Sequence, residues 1–131
     1  MTNSRNKGAS AEREVIAIIQ PVVDAAYKFL GKPAPKLQRN LEQTRSGGCD
    51  IVGLKWLAIE VKRQERLNIA KWWDQAISQA FTAEPVLIYR QSRQPWRVRC
   101  LVQLGSEAVP ATVSINDWLV YLETEIFKRG K

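Results

Sequence analysis

Apolar residues recur at helical spacing from about Ser10 to Leu30, where Val15, Ile16, Ile19, Val22, Val23, Ala26 and Leu30 form one stripe. Ser10 is the expected N-cap, and Pro21 marks a kink in this helix or its division into two. Beyond the break at Gly31 to Pro35, Lys36 to Gln43 alternates weakly and predicts a strand, and Ser46-Gly47-Gly48 reads as a loop. Two short strands follow near Asp50 to Val52 and Trp56 to Lys62, joined through Gly53-Leu54-Lys55 as a hairpin. A second helix is expected from about Asn68 to Thr82, with Ile69, Trp72, Trp73, Ala76, Ile77 and Ala80 on one side and Glu84-Pro85 as its stop. Neighbouring helix positions point apart, so Trp72 and Trp73 are not both expected in one core; the outer ring would serve a dimer contact, base stacking or plain packing.

Pro85 to Arg90 reads as a buried strand, and Trp96 to Leu104 as an alternating one, with Trp96, Val98, Cys100 and Val102 set against Arg97, Arg99 and Leu101. After a break at Gly105-Ser106, Ala111 to Ile115 suggests a short edge strand. Asn116 then looks like the N-cap of a terminal helix that turns Trp118, Leu119, Leu122 and Ile126 inward. This succession predicts an α/β fold, a mixed central β-sheet flanked by helices. It forms a single domain over residues 1–131, with residues 1–9 as a flexible basic arm.

Composition narrows the chemistry more than the fold. The chain carries 20 Lys and Arg against 13 Asp and Glu, a net +7 spread along its length, which suits a polyanionic partner without requiring one. Histidine is absent, which excludes Ser-His-Asp triads, Cys-His pairs, histidine zinc sites and a histidine base. Cys49 and Cys100 form no CxxC pair, so neither a disulfide framework nor a zinc knuckle is expected. No apolar run resembles a signal sequence or a membrane span, which points to an intracellular protein acting away from membranes.

Carboxylates, lysines and hydroxyls are left to do any chemistry, and three acids stand out. In the second hairpin strand Leu57, Ile59 and Val61 point one way, while Trp56, Ala58, Glu60 and Lys62 point the other. A hairpin centred near Leu54 sets Asp50 opposite Ala58 and diagonal to Glu60, within reach of a shared ligand. Acids so close repel unless a cation such as Mg²⁺ lies between them. Glu12 falls on the buried stripe of the first helix, where a carboxylate needs a partner or a metal. Taken singly, Glu60 and Lys62 also fit a solvated sheet face, Asp50 a turn, and Glu12 a first-turn acid favoured by the helix dipole.

Together, KGASAER (Lys7 to Arg13), RSGGCD (Arg45 to Asp50) and IEVK (Ile59 to Lys62) resemble the PD-(D/E)xK nuclease superfamily, in particular the archaeal-type Holliday junction resolvases. The resemblance spans roughly residues 5 to 90; Cys49 rather than proline precedes Asp50, and the segment from Trp96 onward matches no pattern. It implies a restriction-endonuclease-like core and an endonuclease that cuts branched DNA with Mg²⁺, or Mn²⁺ in its place. The natural geometry for a four-way junction is a homodimer. It further implies that Asp50, Glu60 and the Val61 carbonyl hold the ion, with Glu12 bound directly or through water. Lys62 would orient the attacking water or stabilise the phosphate, and Ser46 would contact the scissile phosphate.

Lys7, Arg13, Arg45, Arg63, Arg66, Arg97 and Arg99 are expected on neighbouring phosphates, and each reads equally well as solvated basic surface. Gln75 and Gln79, one turn apart after the ExK strand, resemble glutamines found there in some related exonucleases. The expected setting is the cytoplasm of a microbe or a phage-infected cell. Competing readings are a flap, mismatch or single-strand nuclease, an RNA-processing nuclease, and a DNA-binding module that keeps the fold without cutting.

Overall fold

In the computed structural model, which describes residues 4–42 and 48–130, with side chains from residue 8 in the first helix, the first apolar stripe winds into α1, Ser4–Leu30. Ala11, Val15, Ile19, Val23 and Ala26 form its buried edge. The helix starts earlier than expected: residues 4–9, assigned to a flexible arm, are helical, and Ser10 lies inside the helix rather than capping it. Gly8 lowers helix propensity by only about 1 kcal/mol relative to alanine, and no proline stops the chain there. Pro21 does not divide α1 either; it sits on the exposed side, where one backbone bond is forfeited to water. Beside it, Gln20 donates to the Pro35 carbonyl at 3.0 Å and accepts from the Leu37 N–H at 2.7 Å, pinning the following loop to the helix.

Six strands form one sheet in chain order: β1 (Gln38–Arg39), β2 (Ile51–Val52), β3 (Leu57–Arg63), β4 (Glu84–Arg90), β5 (Arg97–Leu104) and β6 (Glu107–Ser114). The strand expected over Lys36 to Gln43 contracts to the two residues of β1. Only β3 and β4 run parallel, which requires a crossover, and α2 (Ile69–Ala80) supplies it. Gly105-Ser106 is the tip of a hairpin rather than a break: Leu104 pairs with Glu107, and Gly105 adopts a left-handed φ of 62° to make the turn. The last strand is therefore longer than the expected Ala111 to Ile115. It runs directly into α3 (Ile115–Arg129), capped not by Asn116 but by Ser114, whose hydroxyl accepts from the Asp117 N–H at 3.1 Å.

α1 and α3 cover one face of the sheet, packing on Leu57, Ile59, Val61, Val86, Ile88 and Val98. α2 covers part of the other, packing Trp72, Trp73 and Ala76 on Leu87 and Tyr89. Both tryptophans are thus buried, contrary to the expectation that one lies outside. A sheet is broad enough to meet positions 100° apart on a helix. Trp72 tilts against Tyr89 with ring centroids 6.4 Å apart, and Trp73 lies under Arg99 at 5.9 Å. Ile77, expected inside, is 49% exposed.

Candidate active site

Glu60 lies in the middle of β3 with its side chain on the α2 face, where Leu57, Ile59 and Val61 on the opposite face anchor the strand in the larger core. It is 3% exposed, so it is not a solvated surface residue. Trp56 does not share its face; it precedes β3, packs against the larger core and carries Arg129 over its ring at 4.0 Å.

Asp50 stands immediately before β2 and is 9% exposed. The hairpin register is Ile51 opposite Ile59, two residues further along β3 than the expected alignment of Asp50 with Ala58, so Asp50 falls opposite Glu60 itself. The tip is correspondingly displaced from Leu54, which is buried rather than exposed in the turn. Backbone bonds stitch Asp50 between its neighbours: its N–H donates to the Ile59 carbonyl at 2.9 Å, and its carbonyl accepts from the Asn40 N–H at 2.8 Å. The Val61 N–H donates to Asp50 Oδ2 at 2.8 Å, fixing the carboxylate against β3.

The two acids share a side-chain hydrogen bond. Burial above all, then the charge of Asp50, push the Glu60 carboxyl up to about 9, and the Lys62 ammonium opposes them only in part. Glu60 therefore holds a proton near neutral pH. Burial also raises Glu12; the hydrogen bond from Arg39 Nε at 2.8 Å opposes that rise, and the Asp50 charge adds to it. Glu12, Asp50, Glu60 and Lys62 thus lie in one electrostatic field. No three carboxylates or thiols among the described residues sit close enough to hold one ion by side chains alone. The donors available to a cation are two carboxylates and a strand backbone, all hard oxygen ligands, and the proton wedged between the acids marks where positive charge is wanted.

Gln79 completes the wall. The α2 stripe that buries Trp72, Trp73, Ala76 and Ala80 also turns Gln79 inward. With its amide oriented by its partners, Nε2 donates to Glu60 Oε1 and, at 2.5 Å, to the Gly48 carbonyl. Gln75 is exposed and does not join it. A cavity of about 290 Å³ lies on the other side of Gln79, with Asn40, Gly48, Cys49, Ala58 and Gln79 in its wall and none of the acids.

The remaining site residues separate into groups. Ser46 and Arg45, and the side chain of Lys7, lie outside the described residues. Arg13, Arg66 and Arg97 are exposed. Arg63 is tied to Glu14 at 3.3 Å, while Arg99 lies on Trp73 and donates to Thr112 Oγ1 at 3.1 Å.

The sequence reading overlooked Arg39, because its pairing with Glu12 spans 27 residues. It also overlooked a second cluster in which Glu14 accepts from Arg63, from Arg90 at 2.9 Å and from Trp96 Nε1 at 3.1 Å. For Gln79 a signal existed: it falls on the i, i+3, i+4, i+7 stripe of α2 as a polar residue among apolar ones.

A family model described as "Phage putative PDDEXK endonuclease" matches residues 3–115. Among solved structures, Hjc of Archaeoglobus fulgidus, a Holliday junction resolvase from an archaeal hyperthermophile, is similar with a TM-score of 0.53 and 20% identity. The likeness covers 87% of this chain and 96% of that one, and at this identity it is a likeness of fold. No curated protein matches the chain.

Proposed function

Because the chain belongs to the phage PDDEXK endonuclease family, we propose that it is a metal-dependent endonuclease of branched DNA, a Holliday junction resolvase acting as a homodimer in phage recombination and repair. The observation that carries this reading is the buried Asp50–Glu60 pair with Lys62 beside it on β3, an arrangement that is costly for stability and of direct use to a cation. The working ion is Mg²⁺, with Mn²⁺ as a substitute, held by Asp50, Glu60 and the Val61 carbonyl. Glu12 joins directly or through water. When bound, such an ion supplies positive charge to the phosphoryl oxygens and makes a nearby water more acidic.

The chain's own residues do the rest. The Val61 N–H holds Asp50 in place, so the carboxylate needs no reorganisation to meet the ion. Gln79 fixes Glu60 from the opposite side. Lys62, half-buried next to Glu60, orients the attacking water or stabilises the charge that builds on the phosphate. Ser46 contacts the scissile phosphate. Lys7, Arg13, Arg45, Arg66 and Arg97 grip flanking phosphates without reading bases, and Arg63 and Arg99 do so where their internal partners allow. No helix among the described residues is long and apolar enough to cross a membrane, in keeping with work in the cytoplasm of the infected cell.

The test is incubation with Mg²⁺ and a labelled four-way junction, matched duplex and single strand, with Asp50→Asn alongside. Paired nicks across the junction, lost in the variant, are expected. Cutting of linear DNA alone would replace the resolvase reading with a general nuclease, and binding without cutting would remove the enzyme.

A further inference from the structure

Two hydrogen-bond donors without protein partners line a second cavity, away from the acid pair. This cavity, about 220 Å³, lies at the turn between β4 and β5, with Tyr89, Arg90, Gln91, Gln94 and Arg97 in its wall. Arg90 itself turns to the other sheet face, where Glu14 and the Trp96 ring hold its guanidinium. Among the described residues nothing pairs with the Arg97 guanidinium or with the Tyr89 hydroxyl. A guanidinium and a phenol without protein partners in one cavity wall suit an anion, and the volume exceeds the ~30 Å³ of one water severalfold.

The place is also built. Gln91 Nε2 donates to the Glu65 carbonyl at 2.8 Å, and the Ser92 hydroxyl donates to the Glu65 carboxylate, bracing this turn against the segment that leaves β3. Arg93 at its tip adopts a left-handed φ of 64°, a conformation that L residues take at some cost and that clusters where geometry serves binding.

Sheet register relates the cavity to the acid site. Lys62 is the partner of Tyr89 across the parallel pair, and Tyr89 is the partner of Arg97 across the next. Residues in register share a face, so Lys62, Tyr89 and Arg97 form a row at the carboxyl ends of β3 and β4, where ligands of α/β sheets collect. Strands lie about 4.8 Å apart, which sets Arg97 roughly 10 Å from Lys62 along that row.

We propose that this cavity is a phosphate subsite. On the nuclease reading, it takes a backbone phosphate of the cut strand a short distance from the scissile one, with Arg97 as its principal ligand and the Tyr89 hydroxyl completing the cradle. It fixes which phosphodiester comes to rest against Lys62, and so where along the strand the cut falls.

The test uses metal-free full-length protein and labelled DNA whose phosphates are replaced one at a time by uncharged methylphosphonates, followed by Mg²⁺-started cleavage. Wild type should lose about tenfold in affinity at one flanking position. Arg97→Ala should show the same loss on unmodified DNA, none further at that position, and a slope of log affinity against log salt smaller by about 0.9. Its melting temperature should be unchanged, because Arg97 is exposed, and its cuts should scatter over neighbouring positions. Arg97→Lys should restore the salt slope. Unchanged affinity, slope and cut position in Arg97→Ala, with wild type still cleaving, would overturn the subsite alone. Wild type that neither binds nor cuts DNA would overturn the nuclease reading and the subsite with it.

Discussion

Glu12 and Glu14 stand two residues apart on α1 and end in opposite circumstances. Glu14 meets Arg63, Arg90 and the Trp96 indole N–H, three donors for one carboxylate, with the Arg90 guanidinium lying over the Trp96 ring at 4.8 Å. Glu12 has Arg39 and the charge of Arg13 but shares its field with Asp50 and Glu60, which meet each other directly with the half-buried Lys62 beside them. The first cluster compensates its charge and ties α1 to the ends of β3, β4 and β5. The second presses two buried acids together, which a stabilising network would avoid and a cation-using site requires. A single strand, β3, serves both: Glu60 and Lys62 face one cluster and Arg63 the other.

Removing a carboxylate from each cluster should therefore have unlike effects. Asp50→Asn should cost the most: loss of a ligand worth several kcal/mol in the transition state lowers Mg²⁺-dependent cleavage by at least about a thousandfold in single-turnover assays. Its melting temperature in chelator should fall little. Glu14→Gln should do the reverse. It strips charge from two arginines, lowering stability by about 1–2 kcal/mol, read as a melting temperature several degrees lower, while the cleavage rate of the folded protein stays within about twofold.

Protons sharpen the contrast. The fold raises Glu60 from 4.5 to about 9, so the folded chain keeps a proton that the unfolded chain sheds between those values. The resulting stability is complete below about pH 4.5 and is lost as pH rises towards about 9. Metal-free protein should melt at progressively lower temperature from pH 5 to pH 9, and Glu60→Gln should flatten that slope. Glu14→Gln should leave the slope intact, merely displacing the whole curve downward.

The smallest effect belongs to the glutamine that joins the acids. Gln79→Leu preserves volume and removes one hydrogen bond to Glu60, worth about 1 kcal/mol, so cleavage should slow roughly fivefold. Gln75→Leu, on the exposed side of the same helix, should change nothing measurable.

How far the chain could be read before folding depends on how far apart its partners lie. The α1 stripe, the ExK strand and the burial of Trp118, Leu122 and Ile126 follow from local period, and all were legible. Asp50, Glu60 and Lys62 sit within one hairpin, so their convergence was legible too. The direct contact of the two acids was not, since a two-residue change of register keeps the face but alters which residues meet. The Glu14 cluster joins positions 49, 76 and 82 residues apart, and nothing local announces it. The first half of β6, before Ala111, escaped because an edge strand rich in small residues, with Pro110 inside it, carries little alternation and gains its order from β5. The residues from Gln43 to Gly47, which hold the expected Arg45 and Ser46 contacts, lie outside the described residues.

The central claim is that the proton between Asp50 and Glu60 occupies the place of a divalent cation. Calorimetric titration of Mg²⁺, or Mn²⁺ in its place, into metal-free protein at about pH 7.5, repeated in buffers of different ionisation enthalpy, counts the protons released per ion. Close to one proton should leave with each ion bound by wild type, with both binding and release lost in Glu60→Gln. An ion that binds without displacing a proton, or that binds Glu60→Gln as well as wild type, would contradict the account.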